Sequence, residues 1–166
     1  MILRHALAIL ALPFTVTIVV PAYILNSTKQ FASLNLWQFI LAAPFFAIGL
    51  VLFYKTVSLF ATVGEGTLAP WDPTRKLVVR GIYRHVRNPM ISGVLAILLG
   101  EAILLGALAL FIWFVTFFIM NAIYLPLSEE PGLERRFGND YLEYKKNVPR
   151  WIPRRDAWNH NANTIA

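Results

Sequence analysis

Pro89–Leu127, PMISGVLAILLGEAILLGALALFIWFVTFFIMNAIYLPL, is the stretch that decides the fold. It runs for 39 residues with a single charge, Glu101. As one straight helix it would be about 58 Å long, nearly twice the hydrocarbon core of a bilayer. It must fold back on itself, and the break falls at Gly100–Glu101 or at Gly106. Two short, tilted helices in a tight hairpin fit best. A hairpin returns the chain to its starting side, so Asn88–Pro89 and Ser128–Glu130 become spatial neighbours. Glu101 then lies near the far turn, where we read it as a solvated turn residue rather than an intramembrane functional carboxylate.

Upstream, two further apolar stretches cover residues 6–25 and 36–54. Pro13 and Pro21 within the first should bend it without breaking it. The stretch is the length of a full span and no small-residue cleavage site follows, so we read a span and not a signal peptide. The second ends at Lys55 and continues weakly to Val63 as a helix dipping into the interface. The expectation is an all-α membrane protein of about four transmembrane helices, near 6–25, 36–54, 89–105 and 107–127. A cytoplasmic loop and a C-terminal helix complete the fold. We read 1–154 as one domain and 155–166 as a flexible tail.

Composition agrees. Hydrophobic residues make up 57% of the chain and charged ones 14%, too apolar a balance for an ordinary soluble domain. The absence of cysteine excludes disulfides and thiolate metal sites. His5, His85 and His160 have no ligand spacing, so no metal is expected. The net charge of +6 has no polybasic run behind it, so nucleic acid is not expected as a partner. The expected partner is the membrane, with no obligate protein partner evident. With four spans, Arg4, the five cations of the 64–88 loop and the seven of the 128–154 segment and tail share one face. Lys29 and Glu101 lie on the other. The positive-inside rule makes the rich face cytoplasmic. The short chain favours a bacterial or archaeal inner membrane, or the endoplasmic reticulum if eukaryotic.

The polar segments 64–88 and 128–154 therefore meet at one mouth of the hairpin. Glu129 and Glu130 stand opposite Arg84, His85, Arg87 and Asn88. Mixed charge, amide and aromatic groups there suit a polar ligand beside a greasy one. A plainer reading gives the same groups only an anchoring role: Arg–Glu pairs at helix ends, with Tyr83 and Tyr141 as belt residues. Trp151, between Pro149 and Pro153 and flanked by Arg150 and Arg154, reads as an interfacial anchor.

GIYRHVRNPMISG, followed by the EE, FG, Y and YKKNVP residues of 129–149, resembles the isoprenylcysteine carboxyl methyltransferase family, which is grouped with phospholipid methyltransferases. The matched positions are Gly81, Tyr83, Arg87, Asn88, Pro89, Met90, Ile91 and Gly93, then Phe137, Gly138, Tyr141, Tyr144, Lys145, Lys146, Val148 and Pro149. The likeness covers about Gly64 to Arg154. It implies S-adenosylmethionine as methyl donor, held by Lys76, Leu77, Val78, Tyr83, Arg87, Asn88, Pro89, Met90, Ile91, Glu129 and Glu130. Leu77, Val78 and Tyr83 would take the adenine face, Asn88 the methionyl carboxylate or amine, and Glu129 the ammonium or the ribose hydroxyls. Leu125, Arg150 and Trp151 fall on the substrate side.

Three departures stand out. The family's His is Asn88, its Tyr is Ile91, and a substrate-associated Arg of the eukaryotic enzymes is Leu125. The expected activity is methyl transfer to a lipid-like acceptor of the isoprenylcysteine carboxylate type. The alternatives are a phospholipid amine as acceptor, or a catalytically silent family member. A carboxylate acceptor needs no base. An amine must first lose a proton, to Glu129, Glu130 or His85. No catalytic residue is named.

Overall fold

The computed structural model describes residues 10–30, 34–62 and 77–159, and every regular element among them is helical. Lys76 and the 63–76 part of the loop lie outside the described residues. The chain enters as π-helical Leu10–Val19 and continues as α1 (Val20–Thr28). Pro13 lies inside the π-helical part, and its carbonyl accepts the Thr17 hydroxyl at 2.8 Å. The expected bend is thus a widened helix that absorbs a residue unable to donate.

Helix α2 (Leu36–Thr62) opens on a reciprocal cap. Gln38 N donates to Asn35 Oδ1 at 3.0 Å, and Asn35 N donates to Gln38 Oε1 at 2.9 Å. It runs past Tyr54 to Thr62, in line with the weak continuation expected to Val63, and as one unbroken helix. Lys55 ends the apolar run, but a lysine does not end a helix, because its stem lies along the apolar surface while its ammonium reaches water.

A 3₁₀ turn, Gly81–Arg84, precedes α3 (Pro89–Leu105). The hairpin turns at Gly106, with φ of 57°, while Gly100 stays inside α3. Glu101 is therefore not on the turn. It lies inside α3, half-buried, with Oε2 enclosed and lacking a hydrogen-bond partner among the described residues. Helix α4 (Leu108–Tyr124) continues through π-helical Leu125–Glu129 into α5 (Glu130–Phe137). Pro126 sits in that π-helical turn. The apolar run ends at Leu127, but the helix carries on and lifts Glu129 and Glu130 beyond it. Gly138, with φ of 56°, separates α5 from α6 (Asn139–Asn147).

Glycines set how closely α2 and α3 approach. A Cβ on Gly49 would stand 2.6 Å from Ile97 Cγ1 and 2.8 Å from the Gly93 carbonyl oxygen. One on Gly93 would stand 3.0 Å from the Gly49 carbonyl oxygen. Small residues let backbones touch where lipid provides no hydrophobic drive between helices. Across the hairpin, Ala102, Ala107 and Leu110 form a core with Ile24 and Leu25. Trp113 Nε1 donates to the Val16 carbonyl at 3.2 Å, tying α4 to the first helix.

The outer faces are apolar and bare. Leu36, Trp37, Leu41 and Leu50 of α2, and Ile112, Ile119 and Met120 of α4, are exposed. Leu36–Leu59 and Leu108–Phe137 are long and apolar enough to cross a bilayer, while Leu12–Thr28 and Pro89–Leu105 are apolar but shorter. A contiguous apolar surface of this extent belongs in lipid. The molecule is an all-helical membrane protein.

Valine at Gly49 forces α2 and α3 apart. Gly49→Val should lower unfolding stability in detergent by about 1–3 kcal/mol. Gly132→Ala, where a Cβ meets nothing within 4 Å, should leave stability unchanged or slightly raised.

Candidate functional site

The polar ends of α2, α3 and α4 meet beneath the 3₁₀ turn. Pro89 supplies the first residue of α3 and is buried, so Asn88 is fixed at the helix entrance. The Asn88 side chain does not cap the helix and has no hydrogen-bond partner among the described residues. Just upstream, Tyr83 points inward from the turn and is buried. Its hydroxyl is hydrogen-bonded to Thr56, a fully buried residue of α2. Thr56 Oγ1 spends its own proton on the Leu52 carbonyl at 2.8 Å, so it accepts from Tyr83. Burial, foremost, raises the Tyr83 phenol far above its ordinary value, and the negative charge of Glu129 adds to that. Tyr83 is therefore a neutral donor, with Glu129 within electrostatic reach.

Glu130 holds the two polar segments together. Arg87 Nη1 bonds its Oε1 at 2.9 Å, and Arg150 Nε bonds the same oxygen at 2.7 Å. Lys145 Nζ stands 3.1 Å from Oε2 and also bridges to Glu134 at 2.7 Å. The side chains of Arg87 and Glu130 are 9% and 3% exposed, so this pair is largely desolvated. Glu134 first and Glu130 second hold the Lys145 ammonium above its ordinary pKa. The bond to Glu130 does the same for Arg150. Glu129, one residue earlier, is half-buried and has no hydrogen bond or ion pair among the described residues.

Behind these charges lies a second core. Tyr141, Tyr144 and Val148 pack with Leu77, Val79, Leu133, Phe137 and Trp158. Tyr144 donates its hydroxyl to the Tyr83 carbonyl at 2.7 Å, and burial raises its phenol too. The chain after α6 is strapped across the turn. Arg87 N donates to the Pro149 carbonyl, Arg154 N to the His85 carbonyl and Trp158 N to the Arg84 carbonyl, at 2.9, 3.0 and 3.0 Å. Arg84 Nε answers with a bond to the Trp158 carbonyl at 2.8 Å. Within the stretch expected as a tail, Trp158 is thus held at both its N–H and its carbonyl, and its ring lies 5.9 Å from that of Tyr144.

The expected neighbours do meet: the Asn88–Pro89 end and the Ser128–Glu130 end are joined by Arg87–Glu130. Among the residues expected to hold a cofactor, Glu129 is within electrostatic reach of Tyr83, and Asn88 and Glu129 adjoin the paired Arg87 and Glu130. Met90 and Ile91 follow in the first turn of α3, each half-buried. Leu77 is half-buried and Val78 is buried, so Val78 forms wall and not surface. Arg87 and Glu130 spend their charges on each other. Arg150 is the third member of that cluster, Leu125 is 0% exposed, and Trp151 lies 5.5 Å from the exposed Phe118 ring on α4. Thr56 escaped sequence reading, because a threonine in an apolar run carries no motif. Its signal was position: it stands one residue after Lys55, just past the end of the second apolar stretch.

The profile of the family described as phospholipid methyltransferase matches residues 37–140. It therefore takes in α2, which carries Thr56, as well as the loop and the hairpin. A curated relative, protein-S-isoprenylcysteine O-methyltransferase B of Arabidopsis thaliana, is 34% identical over 84 residues, 47% of this chain. The matched region spans 40% of that protein's length.

Removing one partner of a buried pair leaves charge uncompensated. Glu130→Ala should destabilise the protein by about 3–5 kcal/mol. Glu134→Ala, at a more exposed pair, should cost about 0–1 kcal/mol. Denaturant unfolding of the two variants in detergent distinguishes them.

Proposed function

Because the chain belongs to the phospholipid methyltransferase family, we propose that it is a multi-pass membrane methyltransferase. It moves a methyl group from S-adenosylmethionine to a lipid-like acceptor of the isoprenylcysteine carboxylate type at the cytoplasmic face. The observation that carries this reading is the Arg87–Glu130 pair, which brings the neighbouring Asn88 and Glu129 to one place with Tyr83 in electrostatic reach of Glu129, while neither Asn88 nor Glu129 has a hydrogen-bond partner among the described residues.

The residues present suit the donor. Glu129 offers an unpartnered carboxylate for an ammonium or a pair of hydroxyls. Asn88 offers an amide for a carboxylate or amine. Tyr83 and Leu77 offer an aromatic and an apolar face. When bound, S-adenosylmethionine supplies a methyl group already activated on a sulfonium. The protein's own work is then alignment and exclusion of water. The Glu130 cluster holds the 77–91 and 129–150 segments closed over the site. The Tyr141–Tyr144–Val148 core keeps water out from behind. A carboxylate acceptor attacks without a base, its oxygen gaining the methyl carbon as the carbon–sulfur bond breaks and its electron pair stays on sulfur. Opposite charges are neutralised in that step, so a dry site favours it. The lipid would enter sideways between helices, and the donor from the cytoplasm. The cation-rich loop and tail support that orientation.

A second reading, a phospholipid amine as acceptor, is favoured by Leu125 and Glu129. A fully buried leucine stands where the resemblance puts a substrate-binding arginine, so no cation at that position meets an acceptor carboxylate. An amine must shed a proton, and Glu129 is the unpartnered carboxylate at hand to take it.

Glu129→Ala should weaken S-adenosylhomocysteine binding to the purified chain by about 10- to 100-fold in calorimetry, the worth of a charge-assisted contact. Lys29→Ala, in the opposite turn, should leave it unchanged. Incubation with methyl-labelled donor and a total lipid extract identifies the acceptor. A base-labile label marks an ester and a stable one an amine, while no labelled lipid contradicts the reading.

A further inference from the structure

A cleft of about 490 Å³ opens on the outer side of the 3₁₀ turn, away from Tyr83. Its wall includes Tyr54, Lys55 and Ser58 of α2, and Gly81, Arg84 and His85 of the turn. Two fixed cations thus converge with a serine hydroxyl and an imidazole, and no carboxylate lines the cleft among the described residues. Lys55 is exposed and has no ion pair or hydrogen bond among the described residues. Arg84 uses Nε on the Trp158 carbonyl, which fixes the side chain, and its terminal nitrogens have no hydrogen-bond partner among the described residues. His85 Nδ1 lies 2.9 Å from the Arg154 carbonyl oxygen. A carbonyl only accepts, so Nδ1 donates to it and the ring is held against the cleft wall. Gly81 keeps the wall thin: its φ is 53°, and a Cβ there would stand 3.2 Å from Leu59.

The depth of the cleft identifies its occupant. Tyr54 is 74% exposed and follows the bare apolar residues Leu50 and Val51, so the cleft begins where the apolar face of α2 ends. The anions that a membrane protein meets at that depth are lipid phosphates. We propose that the cleft formed by Lys55, Ser58, Arg84 and His85 binds the phosphate of a phospholipid headgroup. It is separate from the donor site: Tyr83 turns inward to Thr56 while its neighbours in the turn face the cleft.

The test uses the full chain purified in a neutral detergent. It is titrated with short-chain phosphatidylglycerol, with inorganic phosphate and with an uncharged alkyl glycoside, and thermal unfolding is followed. Phosphatidylglycerol should raise the midpoint saturably and the glycoside should not. Lys55→Ala should weaken the effect about fivefold, the worth of one cation near lipid phosphate. Lys146→Ala should not change it. Inorganic phosphate acting as well as the lipid would support the phosphate chemistry and identify a soluble source. The proposal falls if no saturable effect is seen, or if Lys55→Ala leaves it intact. It also falls if Lys55→Ala weakens S-adenosylhomocysteine binding instead, since the cleft would then be part of the donor site.

Discussion

The structure depends on a single buried carboxylate. Glu130 stands one residue after the π-helical turn that ends α4, and cations from three other places reach it: Arg87 from before α3, Lys145 from α6 and Arg150 from the strap. A carboxylate at 3% exposure costs several kcal/mol to bury alone, so these partners are a condition of the fold and not a decoration of it. Each cation also brings its segment. Arg87 carries the 3₁₀ turn and Asn88, and Arg150 carries the strap whose carbonyls and amides pair with that turn. The cluster thus converts a helical hairpin into an enclosed site.

Rigidity comes from the other direction. The Gly49–Gly93 contact sets α2 against α3 at backbone distance, which places Thr56 beneath Tyr83. A bulkier residue at either glycine would move Thr56 away from the turn. The tyrosines here serve as neutral donors at fixed points, since burial keeps both Tyr83 and Tyr144 protonated. Beside the paired Arg87 and Glu130, the Asn88 and Glu129 side chains have no hydrogen-bond partner among the described residues, as binding a polar ligand requires. The same turn presents a basic face outward, so a few residues border two sites of opposite chemistry.

Much of this was legible. A 39-residue apolar run has to fold back, and Gly106 does what a glycine at a helix end usually does. From the hairpin followed the meeting of Asn88 and Glu129, before any contact was known. Other features were hidden for identifiable reasons. The buried role of Thr56 was hidden, because a threonine in the continuation YKTVSLFAT carries no motif of its own. Glu130 read as a ligand because a carboxylate's partners, when they come from distant segments, leave no local pattern. The strap to Trp158 is held mainly by backbone hydrogen bonds, to which sequence is nearly silent.

Hydrogen–deuterium exchange of the full chain in detergent, comparing the native protein with Glu130→Gln, tests the central claim most directly. If Glu130 closes the site, the amides of Arg87, Arg154 and Trp158, which bond across the turn and strap, should lose protection together in the variant while the middle of α3 keeps its own. Unchanged protection at those three amides would contradict the account.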